Sequence, residues 1–228
     1  MTDYLSPSKR PGNKNDQIIS YFTLRVMIGA AGILLPFLVF VGKLIYEGSP
    51  QIEPSISDYY DNGAGGDILV GVLFSLAFFL FSYKGYDPID NRAATTGALC
   101  ALGVALFPTT SDVKMVHTLH FVFAFLLFSV FIFFSIYLFR KGIPGKPRTA
   151  NKEKRDGIYL VCGIIMIVCI AGIAVSSFWL EEAAVKYKLV FWFETIALVS
   201  FGFSWITKAE FLFLKDAETE AKKAAAKS

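Results

Sequence analysis

The 228-residue sequence predicts an all-α membrane protein, a polytopic bundle of six transmembrane helices with both termini in the cytoplasm. Three observations predict it. Hydrophobic residues make up 54% of the chain and charged residues 18%, with a mean hydropathy of +0.52, whereas a soluble domain carries about 25% charge. Apolar segments recur near the length of ~20 residues that ~30 Å of hydrocarbon requires. The basic residues between them alternate in density, as retention of Lys and Arg on the cytoplasmic side demands.

The six segments span approximately 21 to 46, 68 to 84, 93 to 108, 115 to 139, 157 to 180 and 187 to 213. Pro36 lies within the first and removes a backbone donor there, so a kink is expected. The third, "AATTGALCALGVALFP", is the shortest and smallest in side-chain volume, and Gly97 and Gly103 suit it to the bundle interior. With a cytoplasmic N-terminus, seventeen of the 22 basic residues fall on the inner side and only Lys43, Lys114, Lys186 and Lys188 on the outer, while Arg25 sits inside the first helix. The domain plan is a cytoplasmic segment 1–20, a transmembrane domain 21–213 with an outer loop 47–67, and a solvated cytoplasmic tail 214–228. No early apolar core with a small-residue cleavage site marks a signal peptide. Cys100, Cys162 and Cys169 lie in apolar runs and read as small hydrophobes.

That orientation puts the polar, glycine-rich stretch "PSISDYYDNGAGGD", residues 54 to 67, on the outer face. The two histidines, His117 and His120, open the fourth segment three residues apart, which at ~100° per residue separates them by about 60°. Glu194 lies ~10 Å and His120 ~8 Å from the outer ends of their helices by helical rise. A carboxylate at that depth needs a partner, and His120 is the first choice. Asp67 is expected to cap the second helix, Ser111 or Asp112 the fourth, and "KGYDPIDNR" to form a tight turn around Pro88.

Three readings fit these residues. Glu194 and the histidines can form a polar clasp between helices, with the first loop as its lid. A histidine can serve as general base, oriented by Asp58 or Glu194, with Ser55 or Ser57 as nucleophile, for hydrolysis or transfer on an outer-leaflet lipid. His117, His120, Glu194 and Asp61 offer two nitrogens and two oxygens that a divalent metal accepts. No phosphate-cradling glycine motif, paired zinc cysteines or groove-reading basic helix is present, which excludes nucleic acid as a partner.

Pro54, Ile56 and Ser57 followed by Asp67, the histidines opening helix four, and "FWFETIALVSFGFSW" in helix six resemble the six-helix superfamily of damage-regulated autophagy modulators and Frag-type GPI-anchor lipid-remodelling factors, with related uncharacterised bacterial membrane proteins. The resemblance covers residues 20 to 213 and implies a lipid-related role, with His120 or His117 as the family's histidine and Glu194 as its acid. Thr195 stands where relatives often carry Trp. The alkaline-ceramidase and progestin-receptor type of membrane hydrolase uses a three-histidine zinc site, and this chain has two histidines. The sequence thus leads to an integral membrane protein with an outer-face polar pocket, lipid-interacting or structural. The alternative is a lipid hydrolase or transferase, metal-assisted or not, using His120, Glu194, Asp58 and Ser57. The partner is membrane lipid; a homo-oligomer or a larger membrane complex stays open.

Overall fold

The computed structural model describes residues 21–85, 87–142 and 148–210. The expected cytoplasmic segment 1–20 and tail 214–228 lie outside the described residues. Within them every regular element is helical: α1 (Tyr21–Glu47), a 3₁₀ turn (Ser57–Asp61), α2 (Gly63–Ser82), α3 (Pro88–Leu106), α4 (Lys114–Phe133) continued by a π turn (Phe134–Leu138), α5 (Ala150–Trp179), α6 (Glu181–Tyr187) and α7 (Leu189–Lys208). Five of these, α1, α2, α4 with its π turn, α5 and α7, are long and apolar enough to cross a membrane. They are the helices of a multi-pass integral membrane protein.

The long helices are apolar around their whole circumference, so burial separates large inward side chains from equally apolar outward ones. On α2, Leu69, Leu73, Leu76 and Leu80 are buried at helical spacing while Phe78 and Phe81 are exposed, the division expected when one face meets protein and the other lipid tails. The helices form a ring in which α1 lies between α2 and α7, α3 between α2 and α4, and α7 between α1 and α5. The α1–α7 crossing is closest at Gly29 and Gly202, where a Cβ on either would overlap the other's carbonyl oxygen. Across the centre Phe131 of α4 stacks on Phe201 of α7 with ring centroids 3.6 Å apart, and one turn further Ser135 and Ser204 share a buried hydrogen bond of 2.8 Å.

Several boundaries differ from expectation. Asp67 does not cap α2: the helix begins at Gly63, four residues earlier, and Asp67 is an exposed residue within it. "KGYDPIDNR" is a helix start, with Asp87 as the cap of α3 accepting from the amides of Ile89 (2.9 Å) and Asp90 (3.1 Å), and Pro88 in the first turn where its missing N–H costs nothing. Asp90, Asn91, Arg92, Thr95 and Thr96 in its first half keep α3 out of the set apolar enough to span. It lies in the ring rather than inside it, with Leu99 and Leu106 exposed. The fourth helix starts at Lys114 without a side-chain cap on its amides. The last apolar segment starts close to where it is expected, α7 beginning after Lys188, whose left-handed φ of 55° separates it from the short α6 in the connection before it.

Candidate functional site

Residues 52–60 fold back over one end of the ring and plug it, with Ile56 and Tyr59 buried, while Gly48, Pro50, Gln51 and Asp61 on either side are exposed. The plug nucleates on itself: Ser55 N–H donates to Asp58 Oδ2 (3.0 Å) and Asp58 N–H to Ser55 Oγ (3.1 Å), a reciprocal box that starts the 3₁₀ turn. The glycines next to it answer to packing. A Cβ on Gly66 would overlap the carbonyl of Tyr60, and one on Gly65 would press on the Tyr59 ring at 3.2 Å, so only bare backbone lets the turn sit on the first turn of α2.

The surrounding helices then hold the plug. Lys43 of α1 pairs with Glu53, Tyr60 Oη donates to the Ala105 carbonyl at the end of α3, and Phe191 N–H near the start of α7 donates to the Pro54 carbonyl (2.9 Å). Thr109 Oγ1 donates to the Ser57 carbonyl (3.4 Å). Burial raises the Tyr59 and Tyr60 hydroxyls above their usual range, so both stay protonated and able to donate at neutral pH.

Two adjacent plug residues face opposite sides of the bundle. Ile56 N–H donates to Glu194 Oε2 of α7 at 2.7 Å. Ser57 Oγ lies 2.9 Å from His120 Nε2 of α4, and the other ring nitrogen, Nδ1, lies 2.7 Å from the carbonyl oxygen of Phe107. A carbonyl only accepts, so Nδ1 carries the proton; in the neutral ring Nε2 is then the acceptor, and the Ser57 hydroxyl donates to it. A hydroxyl aimed at the free lone pair of an imidazole whose far side is oriented by a third group is the geometry of an activated nucleophile.

Beneath Ile56 and Ser57 lies a cavity of about 50 Å³, walled by Leu73, Leu127, Phe128 and Leu198 and floored by Phe131. Ser57 and Glu194 are the two polar residues among those that line it.

The sequence-predicted residues thus separate. Ser57 and His120 meet directly, and Glu194 joins them across Ile56. Glu194 and His120 share no hydrogen bond, because the plug backbone stands between them and takes the carboxylate. Asp58 is held by its own turn and does not orient His120; the Phe107 carbonyl does. His117 is exposed and packs edge-on against Phe121 at 4.9 Å, since its 60° offset from His120 turns it out of the bundle. Asp61 is exposed as well. Among the described residues no group of three or more His, Cys, Asp or Glu side chains is placed to hold a metal ion, so His117, His120, Glu194 and Asp61 do not form a ligand set.

Comparison with protein-family models, curated proteins and solved structures finds no match for this chain.

Proposed function

We propose that this is a six-span membrane protein with cytoplasmic termini whose plugged end faces the outside, and that Ser57 and His120 carry out acyl transfer on a lipid ester at that boundary. The observation that carries the reading is the hydrogen-bonded chain from Ser57 Oγ to His120 Nε2 and from Nδ1 to the Phe107 carbonyl, with both distances under 3 Å. The distribution of basic residues supports the orientation, and α3, flanked on both sides by spanning helices, supplies the sixth span. The resemblance to lipid-remodelling membrane proteins supports a lipid as substrate.

In this reading Ser57 Oγ attacks the ester carbonyl carbon as its proton passes to His120 Nε2. The tetrahedral adduct collapses by breaking the bond to the alcohol oxygen, which leaves with the proton held on Nε2, and the acyl group stays on Ser57. Water or a second hydroxyl then attacks the acyl-serine with His120 again as base, restoring the free hydroxyl. The Phe107 carbonyl stabilises the ring while it is positively charged, as the third member of a triad does. The 50 Å³ cavity is far below the volume of about 300 Å³ at which ligand sites begin, so a substrate requires the plug to shift, with its apolar chain directed toward Leu73, Leu127 and Phe128.

A second reading has its own observation. The plug bonds to α1, α3, α4 and α7 at once, which suits a purely structural stopper. Release of fatty acid from ester lipids in vesicles, measured beside thermal unfolding, separates the two. Acyl transfer predicts that Ser57→Ala abolishes release while the melting temperature moves little; a stopper predicts no release from the wild type and a clear loss of stability.

A further inference from the structure

A second concavity lies outside the ring, at the end opposite the plug. Where α5 and α7 pack together, Gly157, Ile158, Val161 and Ile165 face Val199 and Phe203 across an open groove of about 550 Å³, within the range of ligand sites. Its wall is almost wholly apolar, and a Cβ built on the exposed Gly157 meets nothing within 4 Å, so a side chain at that position would reach into the groove.

A charge stands one helical turn beyond the lining of the groove. Lys154 precedes Gly157, Ile158, Val161 and Ile165 by 3, 4, 7 and 11 residues, so it continues the same helix face about one turn beyond the recess. Its neighbours are engaged elsewhere: Lys152 pairs with Asp156, and Arg155 with Glu210 at 3.4 Å. Glu153, exposed, is offset by ~100° and lies on another face. Among the described residues Lys154 makes no ion pair, and its side chain is exposed.

An apolar channel about 10 Å long by helical rise from Lys154 to Val161, headed by one free ammonium at the inner boundary, matches an acyl chain beneath an anionic head group. A second copy of the chain fits less well. A twofold axis along the membrane normal sets both copies of this face at the same depth and brings their Lys154 ammonium groups together. We infer that the α5–α7 groove is a binding site for an anionic phospholipid of the cytoplasmic leaflet, with its tail in the recess at Gly157 and its phosphate at Lys154. This rests on the proposed orientation and is independent of the chemistry at Ser57.

The test uses the full chain purified in an uncharged detergent, with retention of dioleoyl phosphatidylglycerol and dioleoyl phosphatidylcholine followed by native mass spectrometry. The wild type should retain phosphatidylglycerol about fivefold more strongly, the ratio one lysine near an anionic surface provides. Lys154→Gln should bring the two lipids to parity. Gly157→Leu, which fills open space and raises helix propensity, should lower retention of both while the protein stays folded. Equal retention by the wild type, undiminished retention by Gly157→Leu, or a dimer that Gly157→Leu splits without any change in lipid would overturn the proposal. Gly71→Ala, an open position on α2, should leave lipid retention unchanged, and because the readout is retention rather than fatty-acid release, the result stays separate from that of the acyl-transfer reading.

Discussion

Ser57 Oγ and His120 Nε2 lie 2.9 Å apart although 63 residues separate them, joining the plug to α4 at the roof of the bundle. The direction of that bond is set from behind, by the Phe107 carbonyl on Nδ1. A ring lacking that partner could present either nitrogen to Ser57. In the acyl-transfer reading, His120→Gln should therefore reduce turnover by a factor of 10² or more, the lower end of what a general base contributes. Its melting temperature in detergent should fall by much less than that of a core truncation such as Phe131→Ala. Retained turnover in His120→Gln would remove the imidazole from the chemistry.

The carboxylate of Glu194 acts as an acceptor for the plug backbone, so its shape matters more than its charge. Glu194→Gln keeps an oxygen for the Ile56 amide and should leave thermal stability close to that of the wild type. Glu194→Leu strands that amide in a buried position and should cost about 1–3 kcal/mol. Denaturant unfolding of the two variants side by side checks the difference, and equal losses would show that the contact holds nothing.

The glycines of α2 divide by what they touch. Gly66→Ala drives a methyl group into the Tyr60 carbonyl and should destabilise by about 1–3 kcal/mol, through displacement of the plug. Gly71→Ala, on the same helix with nothing within 4 Å of its Cβ, should be neutral or stabilising by up to about 1 kcal/mol. Proteolysis between residues 48 and 62 is the readout that separates local release of the plug from global unfolding.

At the opposite end, hydrogen bonding from Lys141 (2.7 Å), together with the amides of Asp90 and Ile89, holds the Asp87 carboxyl below its ordinary value of 3.8. A folded-state value below the unfolded one means that the contribution is fully present above pH 3.8 and is lost as pH falls through the lower, folded value. The stability difference between wild type and Asp87→Ala should accordingly be constant around neutrality and shrink in acid. A difference that grew as pH fell would contradict the assignment.

Much of the helical pattern is legible in the sequence because apolar length is a direct record of membrane thickness, and the polar stretch 54–67 stands out against it. Ser57, His120 and Glu194 are legible as site candidates for the same reason: polar groups at membrane depth must find partners. Their pairing is not legible, because the groups that complete it are the backbone amide of Ile56 and the backbone carbonyl of Phe107, which carry no side-chain signature. Asp58 misleads since an acid three residues after a serine serves a local turn as readily as a distant histidine. His117 misleads because an offset of 60° is enough to turn one of two neighbouring imidazoles out of the bundle. The start of α7 after Lys188 falls within two residues of the expected segment, whereas the short α6 before it is not legible, because seven residues of mixed charge carry no apolar length.

The central claim is that His120 activates Ser57. An alkyl fluorophosphonate tests it most directly, since an activated serine oxygen displaces fluoride and keeps the phosphoryl group. Applied to the full chain in membranes at neutral pH and mapped by peptide mass spectrometry, the adduct should sit on Ser57 in the wild type and be absent from His120→Gln. An unlabelled Ser57 in a folded, plugged protein, or equal labelling in both, would contradict the account.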